Sequence, residues 1–193
     1  MDCSTLPDTY HFDEMKSNSG TFDQLLDVYF NSFYADHPAD ATYVGLSSGE
    51  GRLNNVTLRA LSRQHRRRQA ALANLDTIAP SALSNEQNLD RLAFRARLLR
   101  EHEDFERGRH TLDPSGIDAV FGFLLRELQR GETDPKCAAN NIRNLLVESQ
   151  RYLNQAAKLI GRPERVWRNI MDDTFKASDS FFDAIATFLK VNG

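Results

Sequence analysis

TFDQLLDVYFNSFYADHPADATYVGL, residues 21–46, is the stretch whose reading decides the fold. Thr21 stands where a helix N-cap belongs, and Gln24 three positions on completes a capping box that satisfies two otherwise orphaned backbone N–H groups. Leu25, Leu26, Tyr29, Phe30 and Phe33 recur at three- and four-residue spacing, an apolar stripe wide enough to anchor a core. Pro38 lacks an N–H and disfavours the helical conformation in His37, so the helix ends near Asp36. Residues 37–54, rich in Gly, Ser and Asn, then read as a loop.

The same reasoning extends along the chain. Residues 1–20 are polar and read as a flexible tail. A second helix runs from Asn54 or Asn55 to about Ile78, with Leu58, Leu61, Leu72 and Leu75 on its buried side and His65 on that stripe. Ser84 and Gln87 form the capping box of a third helix. That helix has two apolar faces: Leu89, Leu92, Ala93, Ala96 and Leu99 on one, Phe94, Leu98 and Phe105 on the other. Two such faces place it between neighbours. Asp113-Pro114 and Asp134-Pro135 each put a capping acid before a first-turn proline and open the fourth and fifth helices. Pro163 starts a last helix carrying Val166, Trp167, Ile170, Met171, Phe175, Phe181, Phe182, Ile185, Phe188 and Leu189, in which the spacing of Phe175, Phe181, Phe182 and Phe188 reads as core. No segment alternates with the period of two that a strand needs. The expectation is an all-α bundle of about six helices, one domain over residues 21–193, with a long C-terminal antiparallel hairpin about Gly161-Arg162-Pro163.

At 193 residues and 40% apolar content the chain is of ordinary globular composition. No apolar run approaches the roughly 18 residues that span a membrane, so no membrane role is expected. The N-terminus carries acids where a secretory signal has bases. Cys3 and Cys137, without such a signal, point to a reducing, cytoplasmic setting.

Charge is segregated. Residues 1–50 hold nine acids and one base, whereas residues 51–75 hold six arginines and no acid. The first two helices are therefore expected to lie side by side and neutralise each other. Arg59, Arg63, Arg66 and Arg67 form an interaction surface only in a second reading, with an acidic partner. Nucleic acid is not expected, because the net charge is −3 and no aromatic residues interleave the arginines.

The opening stretch also carries a resemblance. The pattern F-x-x-L-L-x-x-Y followed by Pro38-Ala39-Asp40-Ala41-Thr42-Tyr43-Val44-Gly45 is similar to the start of the bacterial domain-of-unknown-function 885 family. Leu72-Ala73-Asn74-Leu75, Leu83-Ser84, Asp90-Arg91-Leu92 and Pro163-Glu164-Arg165-Val166-Trp167 follow in the same order, so the resemblance covers roughly residues 21–185. It implies a relation to zinc-dependent hydrolases of the metallopeptidase type, whose HExxH metal motif lies in a C-terminal half.

That motif needs two histidines one helical turn apart with a glutamate as general base. Only His102-Glu103 begins it, and Glu106 stands where the second histidine belongs, so His102 and Glu106 make at most half a zinc site. No G-x-S-x-G, P-loop or G-x-G-x-x-G occurs. Cys137 sits near a helix N-terminus but has no histidine nearby in sequence, and reads as an inert thiol. Asp36, His37 and Asp40 form the best isolated polar cluster, with a helix-terminating turn as its bland reading. No catalytic, metal or cofactor residue is expected. Two functional readings stand open: the non-catalytic helical front of a hydrolase-like protein, walling or capping a substrate cleft, and a self-sufficient helical module. The protein partner is accordingly either the remainder of the same protein or a further copy or protein.

Overall fold

The structure, a computed structural model, describes residues 21–112, 116–161, 163, 165–176 and 178–192. The expectations placed on residues 1–20, on Asp113-Pro114 and on Arg162 and Glu164 lie outside the described residues. The fold is all-α: α1 (Phe22–Asp36), α2 (Pro38–Tyr43), α3 (Leu58–Asp76), α4 (Asn85–Glu106), α5 (Gly116–Arg130), α6 (Pro135–Leu159), α7 (Arg165–Lys176) and α8 (Ser178–Asn192). No strand occurs among the described residues, and none of their helices is long and apolar enough to cross a membrane.

The stretch read as one domain holds two compact units. The first comprises the residues up to Asp36 together with Leu58–Arg109, and so α1, α3 and α4. Both expected capping boxes close: Gln24 N donates to Thr21 Oγ1 and Thr21 N to Gln24 Oε1 (3.4 and 3.0 Å), and Ser84 and Gln87 exchange the same bonds at 3.1 Å. Phe22, Leu25 and Tyr29 of α1 are buried against Ala71 and Leu75 of α3 and Phe94 and Leu98 of α4. Burying each large apolar side chain contributes about 1.5–3 kcal/mol, so this cluster holds the three helices together. Tyr29 packs edge-on to Phe94 (4.9 Å between ring centres), and burial, followed by the nearby Glu101 carboxylate, pushes its phenol up to about 12. On α3 the buried line runs through Ala60, Gln64, His65, Ala71 and Leu75, while Leu58 is exposed.

The second unit joins His37–Thr57 to the residues from His110 onward. Residues 37–54 are more ordered than a loop: Pro38 opens α2, because its missing N–H is one of the orphans of a helix start anyway. A 3₁₀ turn over Ser47–Gly49 packs on α2. This segment is tied down by long side chains from α5 and α6. Arg126 caps the Tyr43 ring at 4.9 Å and donates to the Tyr43 carbonyl, Arg130 pairs with Glu50 at 2.8 Å, and Arg151 donates to the Leu53 carbonyl at 2.9 Å. Asp134 caps α6 by accepting from Cys137 N. Val120, Leu124, Ile142, Leu145 and Ile185 form the core, with Phe181 and Phe188 packed against it.

The single C-terminal helix expected from the sequence is two helices, α7 and α8. On either side of the junction, Ser178 Oγ donates to the Phe175 carbonyl, and Thr174 Oγ1 bonds both Ile170 O and Asp118 Oδ1. α7 packs on α5 and α8, and α8 returns to α6, in place of one long uninterrupted hairpin.

Candidate functional site

The arginines of α3 are mostly engaged within the first unit. Asp36 accepts from Arg63 at 3.0 Å and from Arg67, and Arg68 pairs with Glu101 at 2.8 Å. The neutralisation of α1 by α3 expected from charge segregation is thus made by one aspartate and two arginines. Arg59 and Arg66 lie exposed. The Asp36, His37, Asp40 cluster is divided among partners: Asp36 serves the arginines, whereas Asp40 accepts from Asn54 Nδ2 at 3.1 Å. His37 occupies the N-cap position of α2.

A grouping that sequence reasoning missed lies between α3 and α4. His65 is buried on α3, and its Nε2 sits 2.9 Å from Glu106 Oε1 on α4. Its ring is stacked with Phe105 on one side (4.2 Å, 18°) and His102 on another (4.9 Å, 10°). One ligand-type atom from each of His65, His102 and Glu106 lies within 4.8 Å of the others. The Nδ1 atoms of His65 and His102 are buried with no hydrogen-bond partner among the described residues. A neutral imidazole has one donor and one acceptor nitrogen, so a buried hydrogen-bonding atom of each ring stands unanswered here. Burial first, then the second imidazole, lowers the His65 pKa from 6.5, against the opposing pull of Glu106. His102 and Glu106, one turn apart, were legible as half a site; the third donor, 37 positions earlier on a packed helix, was not.

A second feature is a bare helix face. α4 buries Phe94 and Leu98, but the other apolar face is uncovered: Leu89 is 69% exposed, Leu92 58% and Leu99 38%, with Ala93 and Ala96 exposed between them. The expectation that α4 lies between neighbours on both sides is therefore met on one side only. In the second unit α7 buries only Met171, leaving Val166, Ile170 and Phe175 exposed, and Phe182 of α8 is exposed too. Phe175 and Phe182, read as core, do not join it.

The second unit also encloses a polar network. Glu127 is buried and accepts from Asn141 Nδ2 at 3.1 Å. Burial raises its pKa above the ordinary 4.5, opposed by that hydrogen bond and by Arg130. Cys137 lies 3.8 Å from Glu50 Oε2, and burial, with the neighbouring acids and against Arg130, pushes its thiol up. Compared with models of known protein families, with curated proteins and with solved structures, the chain matches none.

Proposed function

We propose that this chain is the non-catalytic helical region of a hydrolase-like protein of the kind that the domain-of-unknown-function 885 resemblance implies, walling or capping a substrate cleft whose chemistry resides in a separate part. The observation that carries the reading is the uncovered Leu89, Leu92, Ala93, Ala96, Leu99 face of α4. A helix that buries one apolar face and leaves a second at helical spacing in water has a surface fitted to another protein element. Walling needs no nucleophile, and the acids and arginines around Asp36 and Glu101 are occupied in holding helices together.

A stand-alone interaction module draws on the same face and differs in its partner. Sequencing the genomic locus beyond the Gly193 codon separates the two. A continuing or adjacent reading frame that carries HExxH, and whose product binds this chain through α4, is the expected result. A locus with neither, together with self-association lost on Leu92→Glu, would favour the module and end the hydrolase reading.

A further inference from the structure

We propose that His65, His102 and Glu106 hold one divalent transition-metal ion of the zinc class. The site is independent of the hydrolase reading: it lies wholly within the first unit and uses none of the residues of the uncovered α4 face.

The donor set comes first. Two imidazoles and a carboxylate are a set that zinc takes as its three protein ligands, and that iron(II) takes as a facial triad. Calcium and magnesium, which seek oxygen, are poorly served by it. Second, the donors are held by a scaffold. His102 and Glu106 share one side of α4 across a single turn, and His65 reaches them from α3, which packs along α4. A metal would therefore pin two helices that the core residues Leu75 and Leu98 already bring together.

Third, the cluster contains unsatisfied lone-pair capacity. The Nδ1 atoms of His65 and His102 are both buried without a hydrogen-bond partner among the described residues. Burying a polar atom unpaired is costly, and native proteins do it rarely. Coordination through His102 Nδ1 would remove that cost for that ring, whereas the atom that His65 offers is the Nε2 facing Glu106.

The present geometry also says what uptake requires. Donors on one zinc ion lie about 3–4 Å apart, and the three atoms here span up to 4.8 Å. Rings stacked within 10° of parallel do not both aim a lone pair at one point. Uptake therefore turns the His102 ring about its Cβ–Cγ bond, opens the imidazole stack and exchanges the His65–Glu106 hydrogen bond for two metal bonds. Glu106, with 58% of its side chain exposed, is the mobile partner that admits the ion. Three protein ligands leave one position for water.

The full chain, stripped with a chelator, is titrated with Co²⁺ and then with Zn²⁺ in competition. One equivalent of Co²⁺ is expected to bind with visible d–d absorption and to be displaced by Zn²⁺, with the ring resonances of two histidines shifting together. His102→Ala and Glu106→Gln are each expected to weaken binding by at least about tenfold. Glu106→Gln, at a half-exposed position, should leave the far-ultraviolet circular dichroism unchanged, so that loss of folding is not mistaken for loss of a ligand. The double variant Cys3→Ser, His11→Ala should bind as the wild type does. Failure to take up one equivalent at micromolar free metal would overturn the assignment. So would uptake that survives both ligand variants, or that disappears with the Cys3/His11 variant.

Discussion

The sharpest energetic test compares the same substitution at two glycines of the second unit. A Cβ built at Gly49 lies 1.9 Å from the Pro38 carbonyl oxygen, 2.8 Å from its carbon and 2.8 Å from Thr42 Oγ1. The first two are backbone atoms, so no rotamer change relieves the clash. Pro38 O is moreover the acceptor for Thr42 Oγ1 at 3.1 Å. Accommodating alanine means lifting the Ser47–Gly49 turn from α2, which strains the Arg130–Glu50 and Arg126–Tyr43 contacts that clamp the segment. Overpacking costs about 1–3 kcal/mol, and one lost hydrogen bond adds about 1 kcal/mol. Gly49→Ala is therefore expected to destabilise by about 3 kcal/mol. At Gly122, within α5, a Cβ meets nothing within 4 Å. There alanine only lowers the backbone entropy lost on folding, and should stabilise by about 0.5–1 kcal/mol. Trp167, the chain's only tryptophan, sits in α7 of the same unit and reports its unfolding by fluorescence. With a urea m-value of about 2 kcal/mol/M, the midpoint should fall by about 1.5 M for Gly49→Ala and rise by about 0.3 M for Gly122→Ala. Shifts of the same sign, or a Gly49→Ala midpoint within about 0.2 M of wild type, would refute the close approach of the turn to α2.

Three further outcomes follow from the packing and the titrating groups. Leu98→Ala, at a site with 0% exposure, should cost about 2–5 kcal/mol, read as the loss of first-unit helicity in a urea titration. Because burial raises the folded pKa of Glu127, its contribution is most favourable below the ordinary 4.5 and is lost as pH rises through the folded value. Glu127→Gln, which keeps an acceptor for Asn141, should therefore gain stability relative to wild type as pH rises; a difference independent of pH would contradict this. For His65 the sign reverses. Its folded pKa lies below 6.5, so stability is full above that pH and declines as the pH falls through the folded value. His65→Gln should flatten that decline in a pH series of thermal midpoints.

What the sequence made legible was local. Thr21, Ser84 and Asp134 announced their caps because a side chain and its backbone partner lie three residues apart. The α1 stripe was readable because Leu25 and Tyr29 share one periodicity. Less legible were features set by packing between distant segments. Pro38 signals both the end of one helix and the start of another, and the sequence reading took only the first meaning. Leu58 obeys the helical spacing but is exposed at the first turn of α3, while Ala60 and Ala71 are buried. The chain passes between the two units three times, since residues 37–57 belong with residues from 110 onward, and no linker composition marks the crossings. His65 meets His102 and Glu106 only because α3 and α4 pack together. A buried-stripe histidine in one helix and a His/Glu pair one turn apart in another were the available signals.

The proposed capping role requires α4 to present an uncovered apolar face, and hydroxyl-radical footprinting of the isolated chain read by mass spectrometry tests this most directly. Leu89 and Leu92, 69% and 58% exposed, are expected to oxidise readily while Leu98 of the same helix, at 0%, stays protected. Leu89 and Leu92 as strongly protected as Leu98 in the dilute monomer would mean that α4 is already covered, and that it offers no face to a separate catalytic part.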